Sequence, residues 1–135
     1  MAADHSLVRL ETLALIAVGG FAGSNLRLFV MDLLADVPSI VFVNAVGSAV
    51  LGLLVYEAEY TGHIGSQART VFATGFLSSL TTYSTFALQT AFAADPLAIG
   101  GIVAANYGLG LAGVLVGRAL ARQLDGSRPA GGETT

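Results

Sequence analysis

Gly75-Phe76-Leu77-Ser78-Ser79-Leu80-Thr81-Thr82-Tyr83-Ser84-Thr85-Phe86 lies inside a longer apolar stretch, residues 71–93. Between Ser78 and Thr85, six side chains carry an aliphatic hydroxyl. A segment of this length and apolarity reads as a membrane crossing. Lipid gives a backbone N–H or carbonyl no partner, and side-chain hydroxyls can take up the groups that a helix break frees. The cluster therefore predicts a helix interrupted near its middle, around Ser78–Thr82. Carbonyls freed at such a break can hold a hard cation such as Na+. Tyr83 and Phe86 stand three apart and so share a helix face. Aromatic ring edges carry positive partial charge, and edges turned into a pore would stabilise a small anion without a full cationic site. Gln89 falls on the same face as Thr82 and Phe86.

Working outward, three more apolar stretches run over residues 12–34, 39–56 and 97–120. Each reaches the roughly 17–25 residues a helix needs to cross the hydrocarbon. Hydrophobic residues make up 54% of the chain and charged ones 11%, against about 25% charged in ordinary soluble domains, which places the chain in lipid. The expected fold is all-α, with four transmembrane helices in residues 1–124. The linkers are short, which favours antiparallel neighbours. The polar, Gly- and Pro-containing residues 125–135 read as a disordered tail. Pro38 and Pro96 suit first turns, where a missing N–H costs nothing. Gly47, Ser48 and Gly52, with Gly110, Gly113 and Gly117, are small residues of the kind that let helices approach closely in lipid.

Cysteine is absent, so disulfides and thiolate sites are excluded. All six basic residues are Arg, at 9, 27, 69, 118, 122 and 128, and none forms a nucleic-acid patch. Polar groups within the apolar stretches are costly and so are candidates for function. Arg27 either snorkels to the interface or stands as a cation in a vestibule. Asn44 either donates its amide hydrogens to an anion or bonds a neighbouring helix. Asn106 and Tyr107 are open between the same alternatives. His5 and His63 fall in polar segments and read as loop residues.

Taken together, these residues resemble the Fluc/CrcB fluoride channel family. Residues 19–27 read Gly-Gly-x-x-Gly-x-x-x-Arg and look like its first motif. Val43-Asn44-x-x-Gly47 looks like the second. The stretch from Gly75 to Phe86 looks like its signature, Gly-Phe-x-Gly-Gly-x-Thr-Thr-Phe-Ser-Thr-Phe. The resemblance implies an antiparallel dimer with two fluoride pores and a central structural Na+, and no organic cofactor. It assigns pore roles to Asn44 and to the aromatic positions Tyr83 and Phe86, with Arg27 near a vestibule; Thr82, Ser84, Thr85, Gln89 and Asn106 are candidates for the same fluoride pathway by their place in the apolar stretches. The Na+ would be held by the backbone carbonyls of Ser78 and Thr81. The sequence departs from the signature at Ser78-Ser79, at Tyr83, and at Ala87-Leu88-Gln89, where Ser-x-Glu is usual. The implied activity is passive fluoride export that protects the cell.

Arg9, Arg69, Arg118, Arg122 and Arg128 fall on the side of both termini, and Arg27 on the other. Basic residues in short loops mark the cytoplasmic side, so both termini are expected in the cytoplasm of the cell membrane. A fixed orientation calls for an oppositely inserted homologous subunit, which predicts a heterodimer. Two other classes compete. A four-helix proton-coupled drug exporter needs an acidic residue within the membrane, yet Glu11, Asp32, Asp36, Glu57, Glu59 and Asp95 all stand at segment ends. A non-conducting partner subunit is the other. An enzyme is not expected, since no acid–base or nucleophile set lies within the apolar stretches.

Overall fold

A computed structural model describes residues 2–126, with side chains from Leu7 onward. It is all-helical among the described residues. Four helical stretches follow one another: α1 (Ala2–Leu33), α2 (Asp36–Tyr60), a composite stretch, and a last helix (Pro96–Gly126). The composite stretch comprises α3 (Ser66–Thr70), a π-helical segment (Val71–Leu77), α4 (Ser78–Leu80) and α5 (Tyr83–Ala91), so the last helix is α6. Among the described residues, three helices are long and apolar enough to cross a membrane: Leu7–Leu33 within α1, α2 and α6. Of the tail expected at 125–135, Asp125 and Gly126 close α6, and the rest lies outside the described residues. α1 starts well before residue 12, because nothing in the polar leader breaks a helix.

Local chemistry sets the ends. Pro38 sits in the first turn of α2 beside Asp36, whose charge suits a helix N-terminus. At the other end, Gly62 takes φ +61°. That left-handed turn lets its N–H reach back to the Glu57 carbonyl at 2.8 Å. Pro96 opens α6, and Asp95 Oδ1 accepts the Ala98 N–H at 2.9 Å.

Close packing explains two rows of glycines. A Cβ on Gly75 would lie 2.6 Å from the Ile16 carbonyl oxygen, and one on Gly19 would lie 3.2 Å from the Phe76 nitrogen. A Cβ on Gly113 would lie 2.6 Å from the Ala45 carbonyl oxygen, and one on Gly117 would run into that of Ala49. In both rows the residue numbers rise together. α1 and the π-helical segment are therefore parallel, and so are α2 and α6, as in a chain that alternates direction at each connection. The buried core is small. Val43, Leu54, Leu77 and Leu80 form one cluster, and Ile40, Phe86 and Ile102 a second. Most large apolar side chains face outward, among them Phe21, Phe92 and Leu97, as lipid allows.

Glu57, at the end of the second apolar stretch, lies in the last turn of α2 and is only 4% exposed. Its carboxylate accepts from the Thr61 hydroxyl at 2.9 Å, the backbone N–H groups of His63 and Ile64 at 2.6 and 3.1 Å, and Arg69 Nη2 at 3.2 Å. One acid thereby satisfies the turn that follows α2. His63 itself points outward, 69% exposed.

Candidate functional site

Thr81 and Thr82 are the only residues between α4 and α5. Thr81 has φ −77°, ψ 157° and Thr82 has φ −149°, ψ 121°, both extended. An unbroken helix would send the Thr82 N–H to the Ser78 carbonyl. It goes instead to Asn44 Oδ1 on α2, at 2.9 Å. Asn44 Nδ2 answers by donating to the Thr82 carbonyl at 3.1 Å. The side-chain amide thus pairs with both backbone groups of one residue, which also fixes which way it points. Its second N–H goes to Asn106 Oδ1 on α6 at 3.0 Å, and Asn106 Nδ2 donates to the Ile102 carbonyl at 3.0 Å. Three segments are tied at this point.

The hydroxyls expected to serve a break mostly bond one another or nearby backbone. Thr82 Oγ1 caps α5 by accepting the Thr85 N–H at 3.3 Å. It also donates to Thr85 Oγ1 at 3.1 Å and lies 3.3 Å from Ser84 Oγ. Ser78 Oγ donates to the Thr74 carbonyl, and Thr81 Oγ1 to that of Leu77 at 3.0 Å. On the α1 side, Arg27 Nη1 reaches the Thr81 carbonyl at 3.4 Å. Gly47 holds the extended pair against α2, since a Cβ there would overlap the Thr81 methyl group.

A cavity of about 550 Å3 opens beside the extended pair. Asn44, Ser78, Thr81, Tyr83, Phe86 and Asn106 are among its lining residues. Phe86 is buried, with Tyr83 tilted against it at a centroid distance of 5.7 Å and Tyr107 edge-on at 5.9 Å. Tyr83 itself is 74% exposed. An amide pair, hydroxyls and aromatic rings line a mainly apolar wall, and no carboxylate or cation is among them. Among the described residues no group of His, Cys, Asp or Glu could hold a metal. Ser84, Thr85, Gln89 and Arg27 do not line the cavity. Gln89 Nε2 donates to the Asp36 carbonyl at 2.8 Å, away from it.

Two features escaped the sequence reading. The contact of Gly47 with Thr81 could have been suspected from the Asn44-x-x-Gly47 spacing, which puts both on nearly one face of α2. The reciprocal bonding of Asn44 and Thr82 had no local signal, because 38 residues separate them.

The chain matches the CrcB-like protein, Camphor Resistance (CrcB) family over residues 14–118. It is similar to "Fluoride-specific ion channel FluC 1" of Haloarcula marismortui, 46% identical over 93% of this chain and 98% of the relative. It is 48% identical to "Fluoride-specific ion channel FluC 2" of Halobacterium salinarum, covering 85% of this chain and 90% of the relative. A third relative, "Fluoride-specific ion channel FluC 2" of Methanosarcina acetivorans, is 37% identical over the same shares. With the family match spanning most of the chain and the relatives covered nearly end to end, this chain belongs to the CrcB family.

Proposed function

We propose that the chain is a subunit of a fluoride-selective channel that exports fluoride passively from the cytoplasm. The observation that carries this is the cavity at Thr81–Thr82, in a chain whose relatives are named fluoride-specific channels. Amide hydrogens, hydroxyls and positive ring edges suit a small, hard anion as it sheds water. No acid–base pair is needed, and no chemical step is involved.

In this reading the composite stretch is the third membrane crossing, broken at Thr81–Thr82. Asn44 takes the N–H and the carbonyl of Thr82, Arg27 reaches the Thr81 carbonyl, and the Thr82 hydroxyl accepts the Thr85 N–H, so the backbone that the break frees is largely satisfied. The Asn44 hydrogens are taken by Thr82 and Asn106, so fluoride would exchange with one of these bonds, and Asn106 is the freer partner. Tyr83 and Phe86 supply ring edges, Ser78, Thr81 and Thr82 supply hydroxyls from the cavity wall, and Ser84 and Thr85 stand beside it at the head of α5. Arg27 and Gln89 lie outside the cavity, where Arg27 raises the local anion concentration.

A structural Na+ fits the chemistry of the break in part. The Ser78 carbonyl loses its helical donor to Asn44, and free carbonyls at a broken helix suit a hard cation. Two carbonyls do not complete a shell, so further donors would come from a second subunit. The Arg27 guanidinium on the Thr81 carbonyl competes for one of them.

The subunit would act in an antiparallel dimer, inserted with both termini in the cytoplasm. Its orientation is fixed by Arg9, Arg69, Arg118, Arg122 and Arg128, and the opposite subunit is a homologue. Ser78-Ser79, Tyr83 and Gln89 then make the two pores unequal. Efflux from fluoride-loaded liposomes, followed by a fluoride electrode, tests the channel. Liposomes with the chain and its partner should empty faster than liposomes with the partner alone, and equal rates would overturn the reading.

A further inference from the structure

At the far end of the α2–α6 contact, four side chains form a cluster apart from the cavity. Tyr56 and Tyr60 stand one turn apart on α2, with ring centroids 5.8 Å from each other. Arg118 and Arg122 stand one turn apart on α6. Arg118 Nε donates to the Tyr60 hydroxyl at 3.5 Å and Arg122 Nε donates to the same oxygen at 3.3 Å. Each guanidinium also lies over a ring, Arg118 over Tyr56 at 5.1 Å and Arg122 over Tyr60 at 5.9 Å. Two like charges are thus gathered on one phenol, and neither makes an ion pair among the described residues.

The donor count is what points to a ligand. A phenol oxygen has two acceptor sites and one hydrogen to give. With both acceptor sites taken by Arg, its hydrogen is left to donate. The outer nitrogens of both guanidiniums are likewise without a bond among the described residues. The cluster therefore offers a phenol O–H and two guanidinium forks, and no acceptor. Forked guanidinium donors match phosphate oxygens. The acids nearby do not fill the role. Glu57 is held by Arg69, and exposed Glu59 acts on Arg118 only through its charge, with no ion pair among the described residues.

Position favours a lipid over a free anion. The α6 face that carries Arg118 and Arg122 continues toward mid-membrane with Leu115, which is exposed. An acyl chain could lie along that face while its head group meets the cluster. Tyr at a span's end and Arg rising from it are the usual interfacial anchors. We propose that Tyr60, Arg118 and Arg122 form a binding site for the phosphate of an anionic membrane lipid, on the side of the membrane that holds the chain's end.

Native mass spectrometry of the purified full chain, incubated with phosphatidylglycerol, phosphatidylcholine or inorganic phosphate, tests this. Phosphatidylglycerol should be retained, and retained better than phosphatidylcholine, whose choline cation offsets its phosphate. Retention should fall about 25-fold in the Arg118→Gln, Arg122→Gln double variant, since each basic residue near a lipid surface contributes about fivefold. Tyr60→Phe should fall less, because the rings remain while the shared hydroxyl is lost. Should the double variant not fold by circular dichroism, Arg122→Gln carries the test, as that side chain is exposed. Unchanged retention in the variants would overturn the proposal. So would inorganic phosphate displacing the lipid at equal concentration, which would show an anion site without lipid.

Discussion

At the scale of the residue, Asn44 is the tie of the site: its Oδ1 accepts the Thr82 N–H and its Nδ2 donates to the Thr82 carbonyl. Removing it leaves the Thr82 N–H without its partner and Asn106 Oδ1 without its donor. Asn44→Ala should therefore lower the unfolding free energy in detergent by about 1 to 3 kcal/mol. Asn44→Asp keeps an acceptor for Thr82 but loses both donors and adds a charge, so fluoride efflux should fall further than folding does. Thermal unfolding and electrode-measured efflux, run on both variants, separate the two effects; equal stability of Asn44→Ala and the parent would contradict the bonding described. The residue types at this site were legible in the sequence, since an amide, a hydroxyl cluster and an aromatic pair in apolar surroundings stand out at once. Their partners were not. Whether an amide bonds an anion, a helix or a broken backbone depends on contacts 38 or 62 residues away in the chain.

At the scale of the element, close approach of helices does the holding. A methyl group at Gly117 would enter the Ala49 carbonyl, and one at Gly52 would come within 2.8 Å of that of Val114. Gly117→Ala should force α2 and α6 apart and cost about 1 to 3 kcal/mol, as overpacking does. Gly100→Ala, with nothing within 4 Å of its added carbon, should cost nothing. Comparing melting midpoints of the two variants checks this, and similar losses would show that the glycine rows do not set the helix separation. Hydropathy made α1, α2 and α6 visible to within a few residues at most of their membrane ends, because their apolar runs are long and uninterrupted. The composite stretch was harder to read. Apolar length pointed to a helix and the hydroxyls to a break around Ser78–Thr82, and the extended residues there are Thr81 and Thr82, while Ser78 to Leu80 stay helical. The π-helical turns before it left no pattern to read, and neither did the burial of Glu57, since an acid at the end of an apolar run looks the same in a loop as in a helix.

At the scale of the whole molecule, the lone chain keeps few large side chains from its surroundings, and many of its apolar side chains need lipid or a second subunit. The arginine asymmetry gives an orientation, and the expected result of topology mapping is that reporters on both termini are read from the cytoplasm. Insertion in both directions would remove the reason for a heterodimer and leave the channel proposal standing. The central claim is selectivity for fluoride, and it rests on a pathway of amide, hydroxyl and ring edge with no fixed charge in its wall. Liposomes carrying this chain with its oppositely inserted partner, loaded with potassium fluoride or potassium chloride, measure it directly. Efflux is started with a potassium ionophore and followed by an ion-selective electrode, with the partner alone as control. The account predicts rapid fluoride release that needs this chain, with chloride retained. Chloride leaving as fast as fluoride, or fluoride leaving no faster than with the partner alone, would contradict it.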